Sequence, residues 1–435
     1  ERFMEGTRDW LSNLKLRASW GQLGNNASGY YDWQATYSSR LYSFNNIQVS
    51  GLAAGSYANP DLQWETTTNK EVGLEGSLLH NKLSFEVNAY QRLTNGILTT
   101  TPIPLTAGTA SAPVVNAAEV TNKGFELSLG YRAKAGAFNF AIAGNIAYNT
   151  NEVTKYKGRL TQGWVKDANG NDVYQTNLGA VSSGDVTRIL EGHKISELYL
   201  YQVYSGSGKY FNADGSVNIN GGPKDGMIRT PDDMAWVAAM QAAGYKFAPV
   251  NTVGKAQLYY GDLLYADLNH DGTYGNSNDR YFTGTSSLPK YVFGVNFDIS
   301  WKQFDLAMLW AGATGNQYYW NADNYNNSFV TNGNAFSTLY ANDHYFYDPN
   351  NPTDPRTNIN AHYTRLKASD PINRGIASNF WLYDASWIKL KNLQVGYTLP
   401  EAWTKKATLQ RARIYFSGEN LLMITKFPGL DPEIG

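Results

Sequence analysis

Tyr291-Val292-Phe293-Gly294-Val295-Asn296-Phe297-Asp298-Ile299-Ser300-Trp301-Lys302 is the stretch on which the fold turns. Tyr291, Phe293, Val295, Phe297, Ile299 and Trp301 share one face of an extended chain. Gly294, Asn296, Asp298, Ser300 and Lys302 share the other, and Val292 is the apolar exception. Successive side chains of a strand point to opposite faces, so the run predicts a strand with one uncharged side. The pattern resumes at once, with Phe304, Leu306, Met308 and Trp310 opposing Asp305 and Ala307.

Working outward, the same period recurs. Leu14, Leu16, Ala18 and Trp20 alternate with Lys15, Arg17 and Ser19. Val72, Leu74, Gly76 and Leu78 alternate with Glu71 and Glu75, and Leu83, Phe85, Val87 and Ala89 with Ser84, Glu86 and Asn88. Phe125, Leu127, Leu129 and Tyr131 oppose Glu126, Ser128 and Arg132, and Phe138–Tyr148 continues the pattern. Near the end, Leu393, Val395, Tyr397 and Leu399 oppose Asn392, Gln394 and Thr398, and Ala412, Ile414 and Phe416 oppose Arg411, Arg413 and Tyr415. Every charge lies on one face. A lipid-facing stripe demands this, because Lys or Arg at mid-bilayer costs roughly 2–4 kcal/mol. A soluble sandwich also alternates, with its apolar face turned inward. Length and connections separate the two. Soluble strands usually run about 5–6 residues, whereas several runs here hold phase for about the 9–11 residues of a tilted membrane strand. Short turns at His80–Lys82, Lys134–Ala137 and Lys302–Gln303 alternate with long connections at Asn25–Leu62, Leu93–Ala118, Thr150–Ser196 and Gly315–Phe380, as in outer-membrane barrels. Aromatics gather at strand ends (Trp20, Tyr131, Tyr148, Trp301, Trp310), where interfacial girdles would place them.

The expected fold is therefore all-β, a transmembrane antiparallel β-barrel segment of about nine to eleven strands with long extracellular loops. Nine strands are read directly, and Glu197–Tyr204 and Gln257–Leu268 are further candidates. Thr230–Gly244 predicts a short helix within a loop, and Glu401–Lys406 a helical turn at a periplasmic connection. The formal net charge of −1 argues against a nucleic-acid partner. With no cysteine, disulfides, thiolate metal sites and cysteine nucleophiles are excluded. No apolar run is long enough for a membrane helix, so a spanning form would be a closed barrel. The chain starts at Glu1 and stops at Gly435 in mid-pattern, which makes a piece of a longer protein the expectation.

Five motifs resemble those of SusC/RagA-type TonB-dependent outer-membrane transporters: Leu14–Asn25, Asn59–Glu75, Val120–Glu126, Gly261–Gly275 and Asn420–Gly435, in that order along nearly the whole chain. The resemblance implies that residues 1–435 are the C-terminal part of a 22-stranded barrel in the bacterial outer membrane. The plug domain, TonB box, first barrel half and last strand would lie outside this chain. It implies a SusD-like surface lipoprotein as lid, TonB with ExbB and ExbD as energy source through the N-terminal part, an oligosaccharide as ligand, and dimers of transporter–lipoprotein pairs. Import of oligopeptides by the same route, a passive porin and a secreted glycan-binding β-protein are the competing readings.

Asp267-Leu268-Asn269-His270-Asp271-Gly272-Thr273 has the alternating oxygen ligands of an EF-hand-type loop. Asp267, Asn269, Asp271 and Thr273 would hold one structural Ca²⁺. The usual twelfth-position acid is Asn278, so Asp279, one residue later, is the candidate to close the site. An ion-free Asx-rich turn is the alternative. Among the loop aromatics, Trp33, Tyr319, Trp320 and Tyr325 are candidate ligand contacts, against the alternative of loop packing. The charges Lys15, Arg17, Glu71, Glu75, Arg411 and Arg413 read as cross-strand ion pairs stiffening a wall. No Ser-His-Asp set, phosphate loop or paired carboxylates emerge at a catalytic spacing, so the reading is not an enzyme.

Overall fold

The structure is a computed structural model describing residues 6–7, 9–100, 110–156, 162–166, 172–176, 189–320, 338–367 and 370–433. A nine-stranded sheet dominates it, and its strands lie side by side in chain order. They are β1 (Leu11–Asn25), β2 (Glu65–Leu78), β3 (Leu83–Thr100), β4 (Val114–Ala135), β5 (Phe138–Tyr156), β6 (Tyr291–Trp301), β7 (Phe304–Thr314), β8 (Trp387–Thr398) and β9 (Arg413–Thr425). Every neighbouring pair is antiparallel.

The register joins the apolar stripes into rows. Leu16, Leu74, Val87, Leu127, Ile146, Phe293, Gly312, Ile388 and Ile424 are successive partners from β1 to β9. Leu16, Leu74, Ile146, Ile388 and Ile424 are exposed. A dry two-layered core would bury this row, so the sandwich alternative fails. Toward the short turns the row Phe138, Trp301, Phe304, Tyr397 and Ile414 forms an aromatic band, with Phe304 and Tyr397 rings 4.8 Å apart. At the other end Tyr148 and Tyr291 lie 5.1 Å apart. Tyr291 and Trp301 terminate an 11-residue strand. At about 3.4 Å per residue and about 45° tilt, they stand roughly 25 Å apart in height, the usual apolar band.

Short connections lie at one end of the sheet. Leu79, His80 and Asn81 turn β2 into β3, Gly136 turns β4 into β5 and Lys302 turns β6 into β7, all in left-handed conformations. The β8–β9 connection carries the expected helical turn, at Glu401–Thr404 and Lys405–Ala407. Gly124, in the Val120–Glu126 motif, lies opposite Tyr90. A Cβ there would come within 2.3 Å of the Tyr90 ring, so glycine makes room for the aromatic on the charged face.

Two expectations need correction. Glu197–Tyr201 pairs with Arg280–Ser286 in a separate two-stranded sheet, with a further bridge from Tyr201 to Ser378, and residues 257–268 form isolated bridges. Neither joins the wall, because both are buried in the loop layer, and Leu198, Leu200, Leu263 and Leu264 pack into protein. Meanwhile β3, β4 and β5 reach 18, 22 and 19 residues, so pairing replaces part of the loops expected at Leu93–Ala118 and Thr150–Ser196.

The buried interior lies in the loops. Helix α1 (Pro231–Ala242) matches the expected one and starts with a Thr230–Asp233 capping box. Its Trp236, Val237 and Met240 pack with Tyr204, Ile228, Phe247, Leu258, Leu264 and Tyr274. In the full-length protein, Leu127→Arg should lose roughly 2–4 kcal/mol of stability at mid-membrane, and Ser128→Arg, on the charged face beside Glu86, should lose little. Loss of the heat-modifiable folded band on electrophoresis for the first variant only is the expected readout.

Candidate functional site

The charged face of the wall is tied across strands. Lys15 Nζ lies 2.9 Å from Glu75 Oε1, and Arg17 Nη2 donates to Glu86 Oε1 at 2.5 Å and to Asn88 Oδ1 at 3.0 Å. On the last strands Arg413 forks onto Asp305 and donates to Gln394 Oε1 at 2.9 Å. These residues act as ties, as the sequence reading expected of Lys15, Arg17, Glu75 and Arg413.

The final motif folds back on the wall. Asp431 Oδ1 and Glu433 Oε2 accept from the buried Lys389 Nζ at 2.7 and 2.5 Å. Tyr318 Oη donates to the Pro432 carbonyl at 2.9 Å. Phe427 stands edge-on to Tyr318 and Trp320, at 5.6 and 5.7 Å.

That arrangement bears on the aromatic candidates. Tyr319 lies in the short strand Gln317–Tyr319, paired with Leu382–Asp384. Tyr319 and Trp320 pack against the buried rings of Tyr340, Tyr363 and Trp381. Loop packing is what the geometry gives them. Trp33 is half exposed on the first long connection, and its carbonyl accepts from the Asn59 backbone N–H. Tyr325 lies outside the described residues.

The Asp267–Thr273 loop is an Asx-rich turn closed by its own side chains. Asp267 accepts from the backbone N–H groups of Asp271 and Gly272, and Asp271 from that of Thr273. His270 and Gly272 take the positive φ of the sharp turn. Burial raises the Asp267 pKa. Asp279 is placed differently from its expected closing role. It is fully buried, and its two oxygens accept four backbone N–H groups, from Leu268, Asn269, Gly275 and Asn276. Burial pushes its pKa up to about 6, although those donors favour the charged form. Among the described residues, no three acidic or imidazole side chains converge as a metal-binding group. Asp279 is thus engaged as a backbone cap, and Asp271 Oδ2 accepts from the Asn269 and Asn276 amides at 3.0 and 2.7 Å.

A cleft of about 490 Å³ opens elsewhere in the loop layer, within the roughly 300–1,000 Å³ of small-molecule sites. Tyr345 is fully buried at its base, and its hydroxyl donates to the Arg229 carbonyl. Tyr260 stands edge-on to Tyr259 at 4.9 Å and to Tyr347 at 5.1 Å. Arg365 braces one side. Its guanidinium forks onto Asp262 at 2.7 Å for both bonds and also donates to the Lys255 and Gln257 carbonyls. Asp262 is fully buried. Its pKa is raised by burial, with Arg365 opposing the rise. Asn373 bridges Asp262 to Asp370 at 3.0 and 2.8 Å. None of the cleft residues Lys255, Tyr260, Arg356 and Arg365 is among the candidates read from the sequence. The Tyr259-Tyr260 doublet was the available signal.

A lipid-facing antiparallel wall carrying a folded loop layer with an aromatic cleft defines a segment of an outer-membrane β-barrel. The chain belongs to the family described as TonB dependent receptor-like, beta-barrel, which matches residues 7–248. TonB-dependent receptor P3 of Formosa agariphila is 28% identical over 438 residues, covering 100% of this chain and 37% of that protein. TonB-dependent receptor SusC of Bacteroides thetaiotaomicron is 23% identical over 440 residues, 98% of this chain and 35% of that protein. The RagAB peptide transporter structure superposes with a TM-score of 0.63 at 23% identity, over 98% of this chain and 39% of that one. The SusC/RagA-type resemblance and the outer-membrane barrel fold are thereby shown. This chain spans little more than a third of these relatives.

Replacing Arg365 with Ala would leave Asp262 as a buried, unpaired charge, which typically costs about 3–5 kcal/mol. Limited proteolysis should then cut near 255–265 in the variant and spare the wild type.

Proposed function

We propose that this chain is the C-terminal wall and extracellular loop layer of a TonB-dependent importer of oligosaccharides. A SusD-like lipoprotein would serve as its lid, and TonB, ExbB and ExbD would act through the part of the protein before this chain. The carrying observation is the pairing of a lipid-facing wall with an aromatic-walled cleft held rigidly in its loop layer. Flat aromatic faces stack on sugar rings, and the amides and imidazole at the rim suit hydroxyls. The likeness to the TonB-dependent receptor SusC supports the TonB-dependent part of this reading. A second reading, oligopeptide import, is favoured by one observation, that RagAB is a peptide transporter. Dimers of transporter–lipoprotein pairs belong to the same proposal. Isothermal titration of the full-length transporter with its lipoprotein, against glycan and peptide pools, separates the two. Heat from glycans alone is expected, and heat from peptides alone would replace the first reading with the second.

A structural Ca²⁺ held by Asp267, Asn269, Asp271 and Thr273 is part of the proposal. Its role would be to fasten the loop that precedes Arg280–Ser286. A chelator should lower the thermal midpoint of the wild type by several degrees and leave the double variant Asp267→Ala/Asp271→Ala unmoved. A midpoint indifferent to chelator in both proteins would remove the ion.

A further inference from the structure

We propose that the loop-layer cleft is a subsite for an acidic sugar, one carrying a carboxylate on its ring. This rests on the oligosaccharide reading and narrows it. The cleft is lined by Lys255, Arg356 and Arg365, and among the described residues no Asp or Glu lines it. Two of the three cations are balanced from behind. Asp262 takes the fork of Arg365, and Asp354 takes Nε and Nη2 of Arg356 at 2.9 and 2.7 Å.

Lys255 is exposed, and its ammonium has no partner among the described residues. Lys255 is therefore the lining cation without an acidic partner among the described residues, and Arg356 in the same cleft spends Nε and Nη2 on Asp354 but not Nη1. Arg356 is also pre-positioned, with its guanidinium carbon 4.7 Å from the centre of the Phe346 ring and its other edge pinned by Asp354. The Asp354 tie and the ring contact restrict this exposed side chain in part, so the planar fork loses less freedom on taking a carboxylate than an untied one.

The remaining walls suit a sugar ring. Tyr260 and Tyr347 supply partly exposed aromatic surface. His344 Nδ1 lies 3.2 and 3.1 Å from the Tyr340 and Ala341 carbonyls. Nδ1 must carry the proton to donate there, which leaves Nε2 of the neutral ring as an acceptor for a hydroxyl. A neutral sugar would use the aromatic and imidazole groups and leave the lysine charge unmatched. An acidic sugar uses all of them.

The test is titration calorimetry on the full-length transporter in detergent, with tetragalacturonate, its fully methyl-esterified form and tetraglutamate as probes. The ester keeps ring and hydroxyls and loses only the charge. The acid is expected to bind at least tenfold more tightly than the ester, with an affinity that falls as salt rises. Lys255→Ala and Arg356→Gln should each weaken the acid several-fold and leave the ester unchanged, and Tyr260→Ala should weaken both. Lys255 is exposed and makes no side-chain bond, so its variant reads binding without a folding defect. Equal binding of acid and ester, or an acid affinity indifferent to Lys255→Ala, overturns the charge assignment and leaves oligosaccharide import standing. No binding of the acid overturns the subsite. Tighter binding of tetraglutamate than of either saccharide overturns both this proposal and the oligosaccharide reading.

Discussion

Acyl chains solvate neither a charge nor an unpaired backbone group, and that constraint organises the molecule. Backbone groups are satisfied strand to strand, and through the middle of the wall charges lie on one face, with Lys70 and Lys123 joining the apolar face only toward the long-loop end. The row from Leu16 to Ile424 crosses all nine strands without a charge. A sheet solvated on both sides holds no conventional core. Its internal bonds are the ladders and cross-strand ties such as Lys15–Glu75 and Arg413–Asp305. The chain builds its dry interior in the loops instead, around Trp236, Tyr265 and Trp381.

That division explains what the sequence shows. A strand with lipid on one side and polar surroundings on the other keeps period two, so all nine wall strands were legible, as were helix α1 and the turn after β8. The period fades where the environment changes. Ala117, Ala118, Val120 and Thr121 are all buried, because β4 there has left the bilayer and packs under Leu190 and Tyr199. No single-face rule applies to such a segment, so strand lengths were underestimated. The two surplus strand candidates failed for the same reason. Buried loop segments are apolar too, and composition alone does not say which neighbour covers them.

The candidate sites were legible only in part. The Asp267–Thr273 loop is local, so a turn there was legible from the Asx spacing. Asp279 was misjudged because its burial depends on the tertiary fold, which turns it into a cap for four backbone N–H groups. Tyr319 and Trp320 are packing residues, since Tyr340, Tyr363 and Trp381 pack against both and Phe427 and Tyr383 stand against Trp320, all from other parts of the chain. The cleft escaped because it is assembled from segments such as those of Lys255 and Arg365, 110 residues apart. The same carboxylate chemistry fastens it, for the buried Asp262 holds Arg365, Asn373 and the Tyr259 backbone N–H together. A cleft fastened in this way would, as a binding site, lose less on binding than one that must first be ordered.

The uncharged face is tested most directly by spin-label accessibility. Nitroxides would be attached at Leu127→Cys and Ser128→Cys, adjacent positions on opposite faces of β4, in the full-length protein reconstituted into bilayers. Lipid contact predicts that the label at 127 collides with oxygen and is shielded from a water-soluble nickel chelate, and that the label at 128 shows the reverse. Equal shielding of both labels from both reagents, or oxygen contact at 128 in place of 127, would contradict the membrane wall.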